Sequence, residues 1–171
     1  MAVSQERIDE LLDDMLNNAD ADGWCHVPEG LTDEEQDALS KQLAIITMQD
    51  RIDTLLEGIL TVIKYMEDIK THVDEYDTME KLKIKGGLAT IKEDSQGLLM
   101  DLHSDDIVKD FFRIEMITGE EEDATEEAEK AKDEMTALID TDFKDQLEKI
   151  KKYCSAMIKM SDDVAVMLDA K

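Results

Sequence analysis

The residues with the most suggestive chemistry lie in the stretch NADADGWCHVPE, residues 18–29. Oxygen-bearing side chains at alternate positions are followed by a glycine and then by a closing acid: Asn18, Asp20, Asp22, Gly23 and Glu29. Alternate side chains on a tightly turning loop converge on one point, and a hard cation prefers such oxygen ligands. Gly23 permits the turn, and Glu29 has two oxygens with which to close a site.

This pattern resembles the twelve-residue calcium loop of EF-hand proteins, with oxygen ligands at positions 1, 3, 5 and 12 and glycine at position 6. The resemblance implies these calcium ligands: the side chains of Asn18, Asp20, Asp22 and Glu29, and the carbonyl of Trp24. The sequence departs from the pattern at Asn18, Cys25 and Pro28, and it has no second loop of this kind. A polar Asx-type turn between two helices is the alternative interpretation.

No other group of residues predicts catalysis. Cys25 and His26 have no further ligands at the spacing of a zinc site. His72 and His103 have acids nearby but no accompanying nucleophile motif. The Glu-x-x-His pairs of di-iron bundles are absent from the sequence. We therefore expect no enzymatic activity and no cofactor other than calcium.

The most regular helical stretch of the chain runs from Ile45 to Tyr76 and predicts the central helix of a bundle. Its apolar residues follow the steps of three and four that are typical of a helix packed along others. The series is Ile45, Met48, Ile52, Leu55, Ile59, Val62, Met66, Ile69, Val73 and Tyr76, widened by Leu56, Leu60 and Ile63. So broad a face needs neighbours on more than one side. The pattern predicts an all-α fold, an elongated antiparallel bundle of four to five helices with a short N-terminal helix.

Capping residues and apolar spacing delimit the other helices. Ser4 begins the first helix, Thr32 and Glu35 form a capping box for the long helix, and Asp77-Thr78 ends it and caps the next. The next helix has the apolar face Met79, Leu82, Leu88, Ile91, Leu98, Leu99 and Leu102, interrupted by Gly86-Gly87, where we expect a kink or a close helix approach. The last helix has the seam Phe143, Leu147, Ile150, Cys154, Met157, Ser161, Val164 and Leu168.

The length of 171 residues suggests a single helical domain. Its predicted segments are an N-terminal helix with a polar loop (1–30), the long helix with the helices after it (31–118), an acidic loop (119–134) and a C-terminal helix (135–171). The acidic loop holds nine acidic residues against two lysines.

The formal net charge of −25 argues against direct binding of nucleic acid or of a membrane surface, and it favours basic partners. Met is common, with 11 residues, and suits surfaces that accept apolar partners. The partner-binding candidates are Phe111, Phe112, Met116, Met157 and Met160. We interpret the chain as a non-enzymatic adaptor, assembly factor or chaperone that holds an apolar or basic protein partner.

Two alternatives remain open, a calcium-responsive helical protein acting through residues 18–29 and an inhibitor whose carboxylates mimic nucleic-acid phosphates. A heptad seam is also compatible with a homodimer. Cys25 and Cys154 form no motif, and Cys154 lies on an apolar face, which favours the cytoplasm or another reducing compartment. The sequence shows neither a cleaved leader nor a membrane-spanning run, so we expect a soluble protein.

Overall fold

The computed structural model describes residues 2–23, 25–104, 137, 140, 141 and 143–170. Within this part of the chain there are four helices and no strand, which confirms the all-α prediction. The helices are α1 (Gln5–Asn17), α2 (Asp33–Thr71), α3 (Thr78–Leu102) and α4 (Lys144–Asp169). The predicted acidic loop, 119–134, lies outside the described residues. These residues form two compact units, 2–50 and 51–170, with α2 running through both, and the single-domain organisation stays a prediction.

The first unit contains α1 and the N-terminal part of α2. Ser4 caps α1, since the backbone N–H of Arg7 donates to its hydroxyl at 3.2 Å. The predicted capping box of α2 is confirmed: Glu35 N–H donates to Thr32 Oγ1 at 3.2 Å, and Thr32 N–H donates to Glu35 Oε2 at 3.0 Å. A small core joins the helices through Leu11, Met15 and Leu39, with Leu12, Leu31 and Leu43 packed against it. Burying such a side chain contributes about 1.5–3 kcal/mol.

The second unit contains the rest of α2 together with α3 and α4. Every residue of the predicted α4 seam is buried, from Phe143 to Leu168. In α2, Ile52, Ile59, Met66 and Ile69 are buried, and Leu55 and Val62 are half-buried. The heptad spacing therefore identified the inner faces of both helices.

Helices α3 and α4 are antiparallel neighbours. Lys85 pairs with Asp169, and Lys92 pairs with Asp162 at 2.7 Å, so residue numbers rise along α3 as they fall along α4. Two serines occupy the otherwise apolar seam. Ser161 Oγ donates to the Met157 carbonyl at 2.8 Å and lies 3.4 Å from Met66 Sδ, and Ser95 Oγ donates to the Ile91 carbonyl at 2.6 Å. Both buried hydroxyls are therefore satisfied within their own helices.

Helix α2 ends at Thr71, earlier than predicted. The backbone N–H of His72 bonds to the carbonyls of Asp68 and Ile69, which tightens the last turn. Asp77 then starts α3 through a capping box with Glu80. Residues 72–75 form a turn, so the apolar spacing of Val73 and Tyr76 continues beyond the end of the helix.

The predicted apolar face of α3 is partly wrong. Met79 and Leu82 are 62% and 65% exposed. The other predicted members, Leu88, Ile91, Leu98, Leu99 and Leu102, are buried or half-buried, and Lys81, Ile84 and Ser95 complete the inner face at heptad spacing. At Gly86-Gly87 the helix continues, and a Cβ at either glycine meets no described atom within 4 Å. Close packing within this part of the chain therefore does not explain the two glycines.

Candidate functional site

The loop from Asn18 to Glu29 begins as the end of α1. Asn18 is the C-cap residue, and its side-chain amide donates to the Asp14 carbonyl at 2.8 Å. Asp20 then organises a tight turn, because its Oδ1 accepts the Asp22 N–H at 3.0 Å and its carbonyl accepts the Gly23 N–H at 3.0 Å. Gly23 has φ of +83°, a conformation that favours glycine. This is the Asx-type turn that the sequence offered as the alternative.

The same loop does not gather its acids around one point. Asp20 Oδ2 lies 3.3 Å from His26 Nε2, so this carboxylate faces a side chain that can carry positive charge. Across the described residues, no group of three or more His, Cys, Asp or Glu side chains has the arrangement of a metal site. Trp24 lies outside the described residues, and Glu29 is exposed. The calcium ligands therefore stay a prediction.

The predicted partner-binding residues are not brought together on a described surface. Phe111, Phe112 and Met116 lie outside the described residues. Met157 is only 4% exposed, since it occupies the seam between α3 and α4, so a partner cannot reach it in this fold. Met160 is half-buried.

The structure instead shows exposed apolar side chains on the strongly acidic first unit. Residues 2–50 hold thirteen acidic residues and two basic ones, a net charge of −11. Leu16, Val27 and Ile46 are 67%, 53% and 46% exposed on this unit. The sequence analysis missed this site, although counting charge by segment reveals the acidic excess. The exposure of Leu16 arises because it lies one helical step of about 100° beyond the buried Met15.

Both basic side chains of this unit are already paired. Arg7 Nε donates to Glu35 at 2.8 Å and its Nη1 donates to Glu10 at 3.2 Å, while Lys41 pairs with Asp37 at 3.1 Å. The bonds to Glu35 and Glu10 raise the pKa of Arg7. The pKa of Glu35 is lowered, first by the Thr32 backbone N–H and then by Arg7. No Arg or Lys of residues 2–50 is therefore left over to offset the excess of acidic residues.

A shallow depression of about 490 Å³ lies on the face of α2 in the second unit. Its lining is Thr61, Lys64, Tyr65, Glu67, Asp68 and Thr71. One turn further, His72 Nδ1 lies 2.9 Å from the Asp68 carbonyl, and this hydrogen bond is the main reason that the pKa of His72 is raised. His72 is thus held against the last turn of its own helix.

Two further findings bear on the class of protein. None of the described helices combines the length and apolar character required to cross a bilayer. Compared with protein-family models, curated proteins and solved structures, the chain gives no significant match.

Proposed function

We propose that the chain is a non-enzymatic binding protein of the adaptor, assembly-factor or chaperone type, and that residues 2–50 hold a basic amphipathic segment of a protein partner. The proposal is based on one observation: the unit formed by residues 2–50 has a net charge of −11 and also exposes the apolar side chain of Leu16. A basic amphipathic helix offers the complementary chemistry, with cations on one face and apolar side chains on the other.

The two features have different roles. The uncompensated carboxylates attract the partner over a distance of about one Debye length and accelerate association. Leu16, Val27 and Ile46 provide apolar contact area for the bound segment, which limits its dissociation. A surface that is both acidic and apolar therefore selects amphipathic basic segments over segments that are only basic.

The test uses a defined probe, a synthetic Lys/Leu amphipathic peptide of about 18 residues, titrated calorimetrically into the purified full chain. We expect a saturable complex with a dissociation constant of roughly micromolar that weakens as salt is added. Leu16→Gln should weaken binding about tenfold. The matched control is Val166→Gln on α4, since Val166 is 68% exposed, close to the 67% of Leu16, but lies outside the acidic unit.

Charge is tested separately from apolar contact. Asp13→Asn removes one exposed acid of α1, whereas Asp101→Asn removes one exposed acid of α3. Only the first substitution should reduce the affinity for the peptide. Polylysine of the same charge, which lacks apolar side chains, should bind more weakly than the peptide. Equal binding of polylysine and peptide would instead favour the nucleic-acid-mimic alternative, and absence of peptide binding would overturn the proposal.

A further inference from the structure

The outward side of α3 carries a continuous exposed stripe. Apart from one adjacent pair, neighbouring members are three or four residues apart, and all of them lie within about 100° of one another around the helix. We call them the outer stripe: Met79, Leu82, Lys83, Gly86, Thr90, Glu93, Gly97 and Met100, all exposed. Met79, Leu82 and Met100 are among the most exposed large apolar side chains, at 62%, 65% and 76%. This stripe is opposite in character to the inner face that packs on α4.

The glycines of the outer stripe have no role in the internal packing. A Cβ placed at Gly86 or Gly97 meets no described atom within 4 Å. Glycine within a helix lowers helix stability relative to alanine. Their bare backbone leaves room for side chains of a molecule that approaches from outside.

Three pairs of positions in the outer stripe are equally distant from a midpoint between Ala89 and Thr90. A second copy of α3, antiparallel to the first and centred on that midpoint, places Met79 opposite Met100 and Leu82 opposite Gly97. It also places Gly86 opposite Glu93. Each large apolar side chain of the outer stripe thus meets either a methionine or a glycine of the second copy, and packing of large residues against small ones is typical of helix interfaces.

The charges of α3 favour the same antiparallel arrangement. Residues 78–89 contain three lysines and one acid, whereas residues 90–102 contain one lysine and three acids. An antiparallel pair sets the basic half of one helix against the acidic half of the other, and a parallel pair sets like charges together. Lys83 and Glu93 have no ion-pair partner among the described residues, and in the antiparallel pair they lie within about one helical turn of each other.

We propose that the outer stripe of α3 is the interface of an antiparallel homodimer. The interface is two-fold symmetric, so Leu82 of each copy packs on Gly97 of the other and Lys83 pairs twice with Glu93. A single helix pair is small for a protein interface, so the dimer dissociates at roughly micromolar concentration. The interface lies entirely on α3, within the second unit.

The test measures the mass of the full chain by sedimentation equilibrium between about 1 and 200 µM. We expect the mass to rise with concentration from the monomer value of 19.4 kDa towards twice that value. Gly97→Leu fills the space that Leu82 of the other copy needs, and it should weaken dimerisation about tenfold or more. Gly58→Leu on α2 is the matched control, because a Cβ there also meets no described atom within 4 Å.

A charge exchange tests the pairing directly. Lys83→Glu and Glu93→Lys should each weaken the dimer about tenfold, because each leaves like charges facing each other twice. The double variant restores opposite charges and should recover the dimer. A chain that remains monomeric throughout the concentration range, or a dimer that none of these substitutions alters, would overturn the proposal.

Discussion

Replacing the exposed helical glycines by alanine should make this protein more stable. Gly58 lies inside α2 and Gly87 lies inside α3, and an added Cβ at either position meets no described atom within 4 Å. The methyl group therefore causes no clash, while it restricts the unfolded chain and improves helix propensity. Each substitution should raise the free energy of unfolding by about 1 kcal/mol, and the double variant by about 2 kcal/mol, since the sites are on different helices.

Gly30 provides the internal control. It also has open space around it, but its φ is +80°, a conformation that an L-residue adopts only with strain. Gly30→Ala should therefore lower the free energy of unfolding by about 1 kcal/mol, the opposite sign for the same chemical change.

The assay is urea unfolding followed by far-UV circular dichroism at a concentration low enough for monomer. In thermal unfolding of a chain of this size, a gain of about 1 kcal/mol in the free energy of unfolding corresponds to a rise in Tm of about 2–4 °C. A loss of stability in Gly58→Ala or Gly87→Ala would refute the reasoning, because it would mean that atoms occupy the space around these glycines. A gain in Gly30→Ala would refute the argument from backbone conformation.

Three further outcomes follow from buried, charged and loop residues. Cys25 is exposed and Cys154 is buried, and burial raises the pKa of the Cys154 thiol. A thiol reagent should therefore modify Cys25 in the native protein and Cys154 only after unfolding, and equal rates of modification would contradict this. His72 should titrate in NMR spectra above its ordinary pKa of 6.5. Because folding raises this pKa, His72 stabilises the fold below pH 6.5 and loses that contribution as the pH rises through the pKa of the folded state. An NMR titration midpoint of His72 at or below 6.5 would contradict this prediction. Calcium should change the fluorescence emission of Trp24, the single tryptophan, only at roughly millimolar concentration, because the described acids of the loop are not grouped as a metal site. Asp20→Ala should abolish this change. Saturation at micromolar calcium would instead show a preformed site.

Sequence patterns were most informative where one physical requirement dominated. The α4 seam was predictable residue by residue, because a helix packed on its neighbours along its length must repeat apolar positions every three or four residues. The caps at Ser4, Thr32 and Asp77 were equally readable, since they depend on a few adjacent residues. The Asx-type turn at Asp20 followed from the same local chemistry.

Predictions failed where two local patterns competed for one role. On α3, Met79 and Leu82 were included in the predicted apolar face, but the heptad spacing that runs through Leu88 and Ile91 continues back to Ile84 and Lys81, so Met79 and Leu82 are exposed. Lys81 tolerates the half-buried position because its aliphatic stem covers apolar surface while its amine reaches water. Which side of the helix faces inward depends on the neighbouring helix. Met157 was assigned both to the seam and to a partner surface, and its burial shows that the seam position prevails.

The buried contact between Ser95 of α3 and Met157 of α4 limits how these two helices can be aligned. A regular heptad seam would let α4 slide along α3 by seven residues in either direction with little loss of apolar contact. Each slide would still leave one lysine–aspartate pair, because Lys85 and Lys92 are seven residues apart, as are Asp162 and Asp169. Sliding would, however, move Ser95 from Met157 to Ile150 or Val164, whose branched side chains are shorter. A small serine facing a long methionine therefore removes a translational degeneracy that a uniformly apolar seam would leave, and it selects a single alignment of α3 and α4.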